Sequence, residues 1–210
     1  MKTKKLPGNE LYDAFRMYDY LKASHPNLEQ HVSTKVFKKG TYIYTPIQKI
    51  KHMYEVVEGA VKIGSHSEDG EEVVYDVLHK ADFFGNLKYL NGQFYEFSKA
   101  LVDTKVRLYD LSFFKSIIVH DPQVSDWFNY YLVKRWCIAE IKLLKMNSKS
   151  IAEKLDFLRD HFSKIIQDIH QNNYVLFGLL TKKDLGDLVG TTRQTVANAL
   201  KKYEASLTIT

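Results

Sequence analysis

The chain has 210 residues, 45% of them hydrophobic and 26% charged, and carries a net charge of +5. This balance excludes a disordered chain and supplies enough apolar residues for one large or two small globular domains. A single cysteine, Cys137, excludes an intramolecular disulfide and any cysteine-only zinc or iron–sulfur site within one chain.

The start, Met1-Lys-Thr-Lys-Lys, is basic but is followed by no apolar stretch. No leader peptide and no membrane partner are therefore expected, and the expected compartment is the cytoplasm. Residues 11 to 25 predict one short amphipathic helix, with Leu11, Phe15, Tyr18 and Leu21 at helical spacing. From Val36 the texture changes to short β-rich runs: Val36-Phe37, Thr41–Tyr44, His52–Val57, Ala60–Ile63, Glu72–Leu78 and Ala100–Leu111. Gly40, Gly59, Gly64, Gly70 and Gly92 punctuate them. Short strands at this spacing predict a small antiparallel barrel or roll.

Pro122 opens a second regime. No proline or glycine interrupts the chain from Val124 to Met146, which predicts one long helix. Phe128, Leu132, Trp136, Ala139, Leu143 and Met146 make one apolar stripe, and Trp127, Tyr131, Ile138 and Ile141 make a second. A surface helix needs one apolar stripe. Two predict burial on two sides, against the roll and against the same helix of a second copy, so a homodimer is expected. Asn147 to Ser150 breaks the pattern. Helical spacing then resumes through Ile151, Leu155, Leu158, Phe162, Ile165 and Ile169.

The run from Thr181 to Leu200 carries the most information. Thr181 is placed to cap a helix, with Asp184 three residues on to complete a reciprocal cap. Leu185 and Leu188 give that helix an apolar side, Gly186 admits a closely crossing neighbour, and Gly190 supplies the turn. Thr191 or Thr192 then caps a second helix. Val196, Ala199, Leu200 and Tyr203 share one side of it; Arg193, Gln194, Ala197, Asn198 and Lys201 share the other. Arginine pairs with the guanine edge in two hydrogen bonds, and glutamine and asparagine do the same for adenine. Thr191 and Thr192 suit a phosphate. Lys182, Lys183, Lys201 and Lys202 flank this face, and residues 181 to 202 hold five Lys/Arg and two Asp, a net +3. The expected partner is double-stranded DNA, read by Arg193, Gln194 and Asn198 and held by Lys182, Thr191, Thr192, Lys201 and Lys202.

A β-roll, a long connecting helix and a C-terminal helix-turn-helix, in that order, resemble the CRP/FNR family of bacterial transcription regulators. Met53–Lys62 looks like the family's strand–glycine–strand hairpin, Ala81–Leu87 like the approach to its ligand loop, and Leu180–Leu200 like its DNA-binding motif. The resemblance implies an α+β fold. Residues 1–121 would form the roll with its N-terminal helix, residues 122–147 the dimerisation helix, and residues 148–210 a winged-helix-like reading domain. It also implies RNA polymerase as a partner. The residues matching Arg193, Gln194 and Asn198 face the bases in the family, which usually has an acid where Gln194 stands. Family members also follow the reading helix with a β-hairpin. Here Ser206–Thr210 alternates like a single strand, with no lysine or arginine beyond Lys202, so a reduced wing is expected.

The ligand loop departs from the family. Its cyclic-nucleotide binders carry Gly-Glu-Leu and, about ten residues on, an Arg-Ser or Arg-Thr that holds the cyclic phosphate. Here the effector-pocket candidates are Gly85, Asn86 and Leu87, followed by Glu96, or by Ser98 and Lys99 in a longer register. Neither register supplies the arginine. A cyclic nucleotide is therefore not the expected effector, and no cofactor is expected. Eight histidines are scattered without metal-ligand spacing, so no metal is expected. No nucleophile–base pair or catalytic carboxylate pair is visible, so an enzyme is not expected. The competing reading is a ligand-binding or interaction protein whose C-terminal helices serve only assembly.

Overall fold

The computed structural model describes residues 10–46, 51–89, 95–147 and 150–207. Two short helices open it, α1 (Glu10–Ala14) and α2 (Met17–Ser24), where one was expected. The break falls at Arg16, whose backbone is extended and whose guanidinium donates to the carbonyls of Asp13 and Phe15. Leu11 is left exposed, whereas Met17 and Leu21 are buried.

Eight strands follow: β1 (Val32–Phe37), β2 (Tyr42–Tyr44), β3 (His52–Glu58), β4 (Ala60–His66), β5 (Glu72–His79), β6 (Phe83–Phe84), β7 (Glu96–Ala100) and β8 (Thr104–Asp110). They form two four-stranded antiparallel sheets, ordered β1-β8-β3-β6 and β2-β7-β4-β5. The sheets close over Tyr44, Tyr54, Val56, Val61, Ile63, Phe84 and Val106. β6 and β7 were not expected. β6 is too short to alternate, and the mixed run Glu96-Phe-Ser-Lys gives no strong strand signal. Gly64, expected between strands, lies inside β4 at a register shift, against the ring of Phe97. Gly92 lies outside the described residues.

Strand β3 does not alternate cleanly, because its sheet is buried on both faces. Tyr54 points into the roll, while its neighbour Met53 joins a second core with Met17, Leu21, Phe114, Trp127 and Phe128. That core is built by α2, by α3 (Leu111–His120) and by the start of α4 (Pro122–Met146). The α4 N-terminus is fixed by Asp121, which accepts from the backbone of Gln123 at 3.0 Å and Val124 at 3.1 Å, with Pro122 in the first turn. The helix runs 25 residues, about 37 Å at 1.5 Å per residue.

Ser150 caps α5 (Ile151–His161). Helical spacing was expected to continue to Ile169, but α5 stops at His161 and a small hairpin follows, β9 (Ile165–Gln167) and β10 (Asn173–Val175). The Asp168 side chain organises its turn. It accepts from the backbone of His170 (2.8 Å) and Asn172 (3.0 Å), from the Asn172 amide (3.0 Å) and from the Tyr174 hydroxyl (3.2 Å). Those bonds, with β-branched Ile165 and Ile166 ahead of them, outweigh the helical spacing. After a 3-10 turn at Leu176–Leu179 come α6 (Lys182–Val189) and α7 (Arg193–Leu207).

The C-terminal core of Leu155, Leu158, Phe162, Leu185, Val189 and Val196 is continuous with Ala60, Val77, Leu101 and Val102 of the roll. Strand β5 is the junction. Its Asp76 receives Arg135 at 2.8 Å and Lys142 from α4. Its Glu72 carboxylate receives Lys99 at 2.8 Å, the Tyr42 hydroxyl, and Lys62 at 3.5 Å. Lys62 in turn reaches Asp184 of α6 at 2.7 Å. Burial would raise the Glu72 carboxyl, but the bonds from Lys99 and Tyr42 and the Lys62 charge outweigh it and bring it from 4.5 down to about 2. The stabilisation from Glu72 is therefore complete above pH 4.5 and lost as the pH falls toward 2. In urea titrations Glu72→Gln is expected to be less stable than wild type near neutrality. The gap should close below pH 4.5, and a gap constant across that range would contradict this role.

Candidate nucleic-acid interface and effector roll

The helix-turn-helix forms as its residues predict. The Thr181 side chain accepts from the Asp184 backbone while the Asp184 carboxylate accepts from the Thr181 backbone, closing a reciprocal cap. Gly190 ends α6 at φ +69, a left-handed value that glycine adopts without steric cost. A Cβ on Gly186 would stand 2.8 Å from the Thr191 carbonyl oxygen, so the two helices cross at glycine distance. The Thr192 hydroxyl, not Thr191, caps the second helix, accepting from Thr195 at 3.1 Å. Thr191 instead donates its backbone N–H to Gly186 across the turn.

Helix α7 is fixed on one side and open on the other. Val196 is fully buried, and Ala199 and Leu200 are half-buried against the same core. The Tyr203 side chain lies outside the described residues. Arg193, Gln194, Asn198, Lys201 and Lys202 are exposed. The Gln194 amide donates to the Asn198 carbonyl oxygen at 3.0 Å, so these two amides stand one turn apart on the open face. Thr181, Lys182, Lys183 and Arg193 line an open groove of about 420 Å³ beside them. Helix α7 extends through Ser206 and Leu207, so the strand expected there does not start at Ser206; residues 208–210 lie outside the described residues.

One flanking cation is used differently from the expectation. Lys183 turns to the roll, donating to the Glu72 carbonyl and pairing with Asp187 at 3.2 Å. Asp187 also accepts from the backbone of Val74 at 3.0 Å. These contacts, and the second role of Asp184 toward Lys62, were not read from the sequence. Only the i,i+4 spacing of Lys183 and Asp187 signalled a pair.

In the roll, the effector-pocket candidates are not brought together as one anion site. Gly85 has φ +107 and sits against the Tyr54 ring. The Asn86 side chain is folded back on the backbone of Lys88 at 2.6 Å, and Leu87 packs on the helical core beside Met53 and Phe83. Glu96 is half-buried between the hydroxyls of Tyr44 and Tyr75, the latter at 2.8 Å, and desolvation pushes its carboxyl up. Ser98 is buried with no partner for its hydroxyl. Lys99 faces the other way, onto Glu72 and the Tyr42 ring. No arginine lies between residues 86 and 106. The guanidinium groups packed on the roll are both paired, Arg107 with Glu55 at 2.5 Å and Arg135 with Asp76.

The long helix presents two different faces. Trp127 is buried and the Tyr131 hydroxyl donates to the carbonyl of Phe83 on the roll side. Ile138 is half-buried, and Ile141 packs against the C-terminal core. On the opposite face Leu132 is 46% exposed, Trp136 67% and Leu143 71%, and Ala139 is exposed beside them. Phe128 and Met146, expected in the same seam, belong elsewhere. Phe128 is buried against Phe114 and Tyr131, and Met146 packs on the C-terminal core, because the seam is closed off at both ends of the helix by its own chain.

The chain thus joins a roll of two sheets, a long helix and a helix-turn-helix with its polar face outward. Residues 34–121 match the family model for a cyclic nucleotide-binding domain. A global nitrogen regulator from Synechococcus elongatus is 26% identical over 173 residues, 78% of this chain and 75% of that protein. A CRP-like cAMP-activated global transcriptional regulator from Mycobacterium tuberculosis is 22% identical over 177 residues, 80% of this chain and 75% of that protein. The crystal structure of a transcriptional regulator of the CRP/FNR family from Eubacterium rectale shares the fold. Its TM-score is 0.68 at 18% identity, covering 94% of this chain and 89% of that one. The resemblance drawn from the sequence is borne out at the level of this likeness: the chain shares the fold of the CRP/FNR regulator and is similar to these global regulators over more than three quarters of its length.

The close crossing at Gly186 generates a direct expectation. Gly186→Ala forces α6 and the turn apart and is expected to destabilise the protein by roughly 1–3 kcal/mol, read from the urea midpoint. An unchanged midpoint would show that the crossing has slack.

Proposed function

We propose that this chain is a homodimeric, sequence-specific, double-stranded-DNA-binding transcription regulator of the cytoplasm that does not respond to cyclic AMP or cyclic GMP. The observation that carries the reading is the orientation of α7. Its apolar side, centred on Val196, is sealed into the core, while Arg193, Gln194 and Asn198 stand in solvent. A helix held in this way presents donors and acceptors suited to base edges, with Lys182, Lys201 and Lys202 placed for phosphates. The competing reading, assembly alone, leaves this ordered polar face without a role. RNA polymerase enters as a partner through the family resemblance.

The exposed row of Leu132, Trp136, Ala139 and Leu143 supports the dimer, since a row this apolar on a long helix is the seam a second copy covers. Two reading helices related by a two-fold axis call for an inverted repeat with half-sites roughly 34 Å apart. Arg193→Ala is expected to lose roughly 1–3 kcal/mol at one base pair and to relax preference there. Titration against a selected duplex and its single-base variants checks this, and unchanged affinity and preference would remove Arg193 from the reading set. Replacing Leu132 and Leu143 together with aspartate is expected to yield a monomer by sedimentation at micromolar concentration, since two charges would enter a dry seam. A wild-type monomer under the same conditions would end the dimer proposal.

The reading of the roll is electrostatic. A cyclic phosphate carries a full charge into a partly enclosed site, and burying it unpaired is costly. Half-buried Glu96 would add a carboxylate rather than a cation, and the guanidinium groups of Arg107 and Arg135 on the roll are paired. Calorimetry with each cyclic nucleotide is expected to show no binding tighter than about 10 μM, about −7 kcal/mol. Tighter binding would point to Lys99 as the phosphate partner.

A further inference from the structure

Strand β5 is an edge strand: it pairs with β4 on one side, and among the described residues no strand covers the other. Two of its outward backbone groups are nevertheless engaged. The Glu72 carbonyl accepts from the Lys183 ammonium, and the Val74 N–H donates to the Asp187 carboxylate at 3.0 Å. Glu72 and Val74 are two apart, so both point out of the same edge. Lys183 and Asp187 are four apart on α6 and pair with each other at 3.2 Å. One ion pair of the helix-turn-helix thus stands in for a missing strand, offering a donor to the carbonyl and an acceptor to the amide. Beside it the buried Lys62–Asp184 pair, 14% and 3% exposed, pins the first turn of α6 to β4.

The same Lys183 lines the open groove with Thr181, Lys182 and Arg193. Its ammonium therefore has two competing acceptors. One is the neutral carbonyl of Glu72 together with the Asp187 carboxylate. The other is a phosphate of a DNA backbone entering the groove. Charge-assisted bonds to phosphate are stronger than bonds to a neutral carbonyl. A duplex seated against Lys182 and Arg193 adds its negative potential from both strands.

The geometry points to a latch: Lys183 and Asp187 clasp the helix-turn-helix to the free edge of β5, and DNA releases the clasp by taking Lys183 onto a phosphate. This rests on the DNA-binding reading above and adds to it a regulatory strand. β5 also carries Asp76, which holds Arg135 and Lys142 of the long helix, and Tyr75, which holds Glu96. The strand that DNA would free is thus the strand tied to α4 and to the interior of the roll. By linkage, whatever loosens β5 from α6 tightens DNA binding by the same factor that DNA loosens β5.

Amide exchange on the intact protein tests the latch, with and without a selected duplex, alongside the salt dependence of DNA binding. Without DNA, the Val74 amide is expected to be protected. With DNA, it is expected to exchange at least about threefold faster while α7 becomes more protected. Asp187→Ala removes the acceptor and weakens the hold on Lys183. It is expected to expose Val74 without DNA and to tighten DNA binding at a given salt, because the clasp no longer has to open. Lys183→Met is expected to flatten the plot of log affinity against log salt by about one, because the phosphate contact made by Lys183 is lost. A Val74 amide that stays protected on DNA, or Lys183→Met with a wild-type slope, would overturn the latch while leaving the DNA-binding reading intact. A wild type that binds no duplex would overturn both, and that result is distinguished by the absence of any change in α7.

Discussion

The structure depends on how strand β5 is shared. Its carboxylates and outward backbone groups meet three bodies: Glu72 collects Lys62, Lys99 and Tyr42 from the roll, Asp76 collects Arg135 and Lys142 from α4, and its free edge meets α6. An acid with this little exposure is tolerable only when paired and hydrogen-bonded. Asp76 has 13% of its side chain exposed and two cationic partners, and Glu72 has 23% and two cations with a phenol. The apolar contact of Ala60, Val77, Leu101 and Val102 with Leu155, Leu185 and Val189 supplies the bulk of the adhesion between the roll and the C-terminal helices. The ion pairs fix its register.

From this junction the functional surfaces follow. Helix α6, held at its first turn, sets where α7 lies, and the Gly186 crossing passes that placement on without slack. Arg135 and Lys142 hold the polar edge of α4 to the roll, which leaves Leu132, Trp136 and Leu143 facing away. The roll interior is filled by Tyr44, Tyr54 and Phe84 and closed at one end by Glu96 between two phenols. The solved structure from Eubacterium rectale shares this fold.

The helix-turn-helix was legible residue by residue, because caps, turn glycine and sealed face are local signals. Thr181, Asp184, Gly186, Gly190 and Val196 all do what their spacing implies. Six of the strand runs were legible for the same reason. Three features were not. The hairpin at Ile165–Val175 mimics helical spacing, and only the Asp168 turn decides against it. The N-terminal helix breaks at Arg16, where no proline or glycine gives warning. Lys183 reads as one more solvated cation, and its partners in β5 lie 111 and 113 positions away in the contacts that engage Lys183 and Asp187. The apolar stripe of α4 was legible as a pattern. Its ends, Phe128 and Met146, were not separable from its middle without knowing what the chain folds over them.

The central claim is that α7 reads duplex DNA as one of a symmetric pair. The most direct measurement is selection of the full-length protein against a pool of random duplexes at physiological salt. The account predicts enrichment of an inverted repeat whose half-sites are about one helical turn apart. A pool that remains random after repeated rounds, with binding that depends on salt alone, would contradict it.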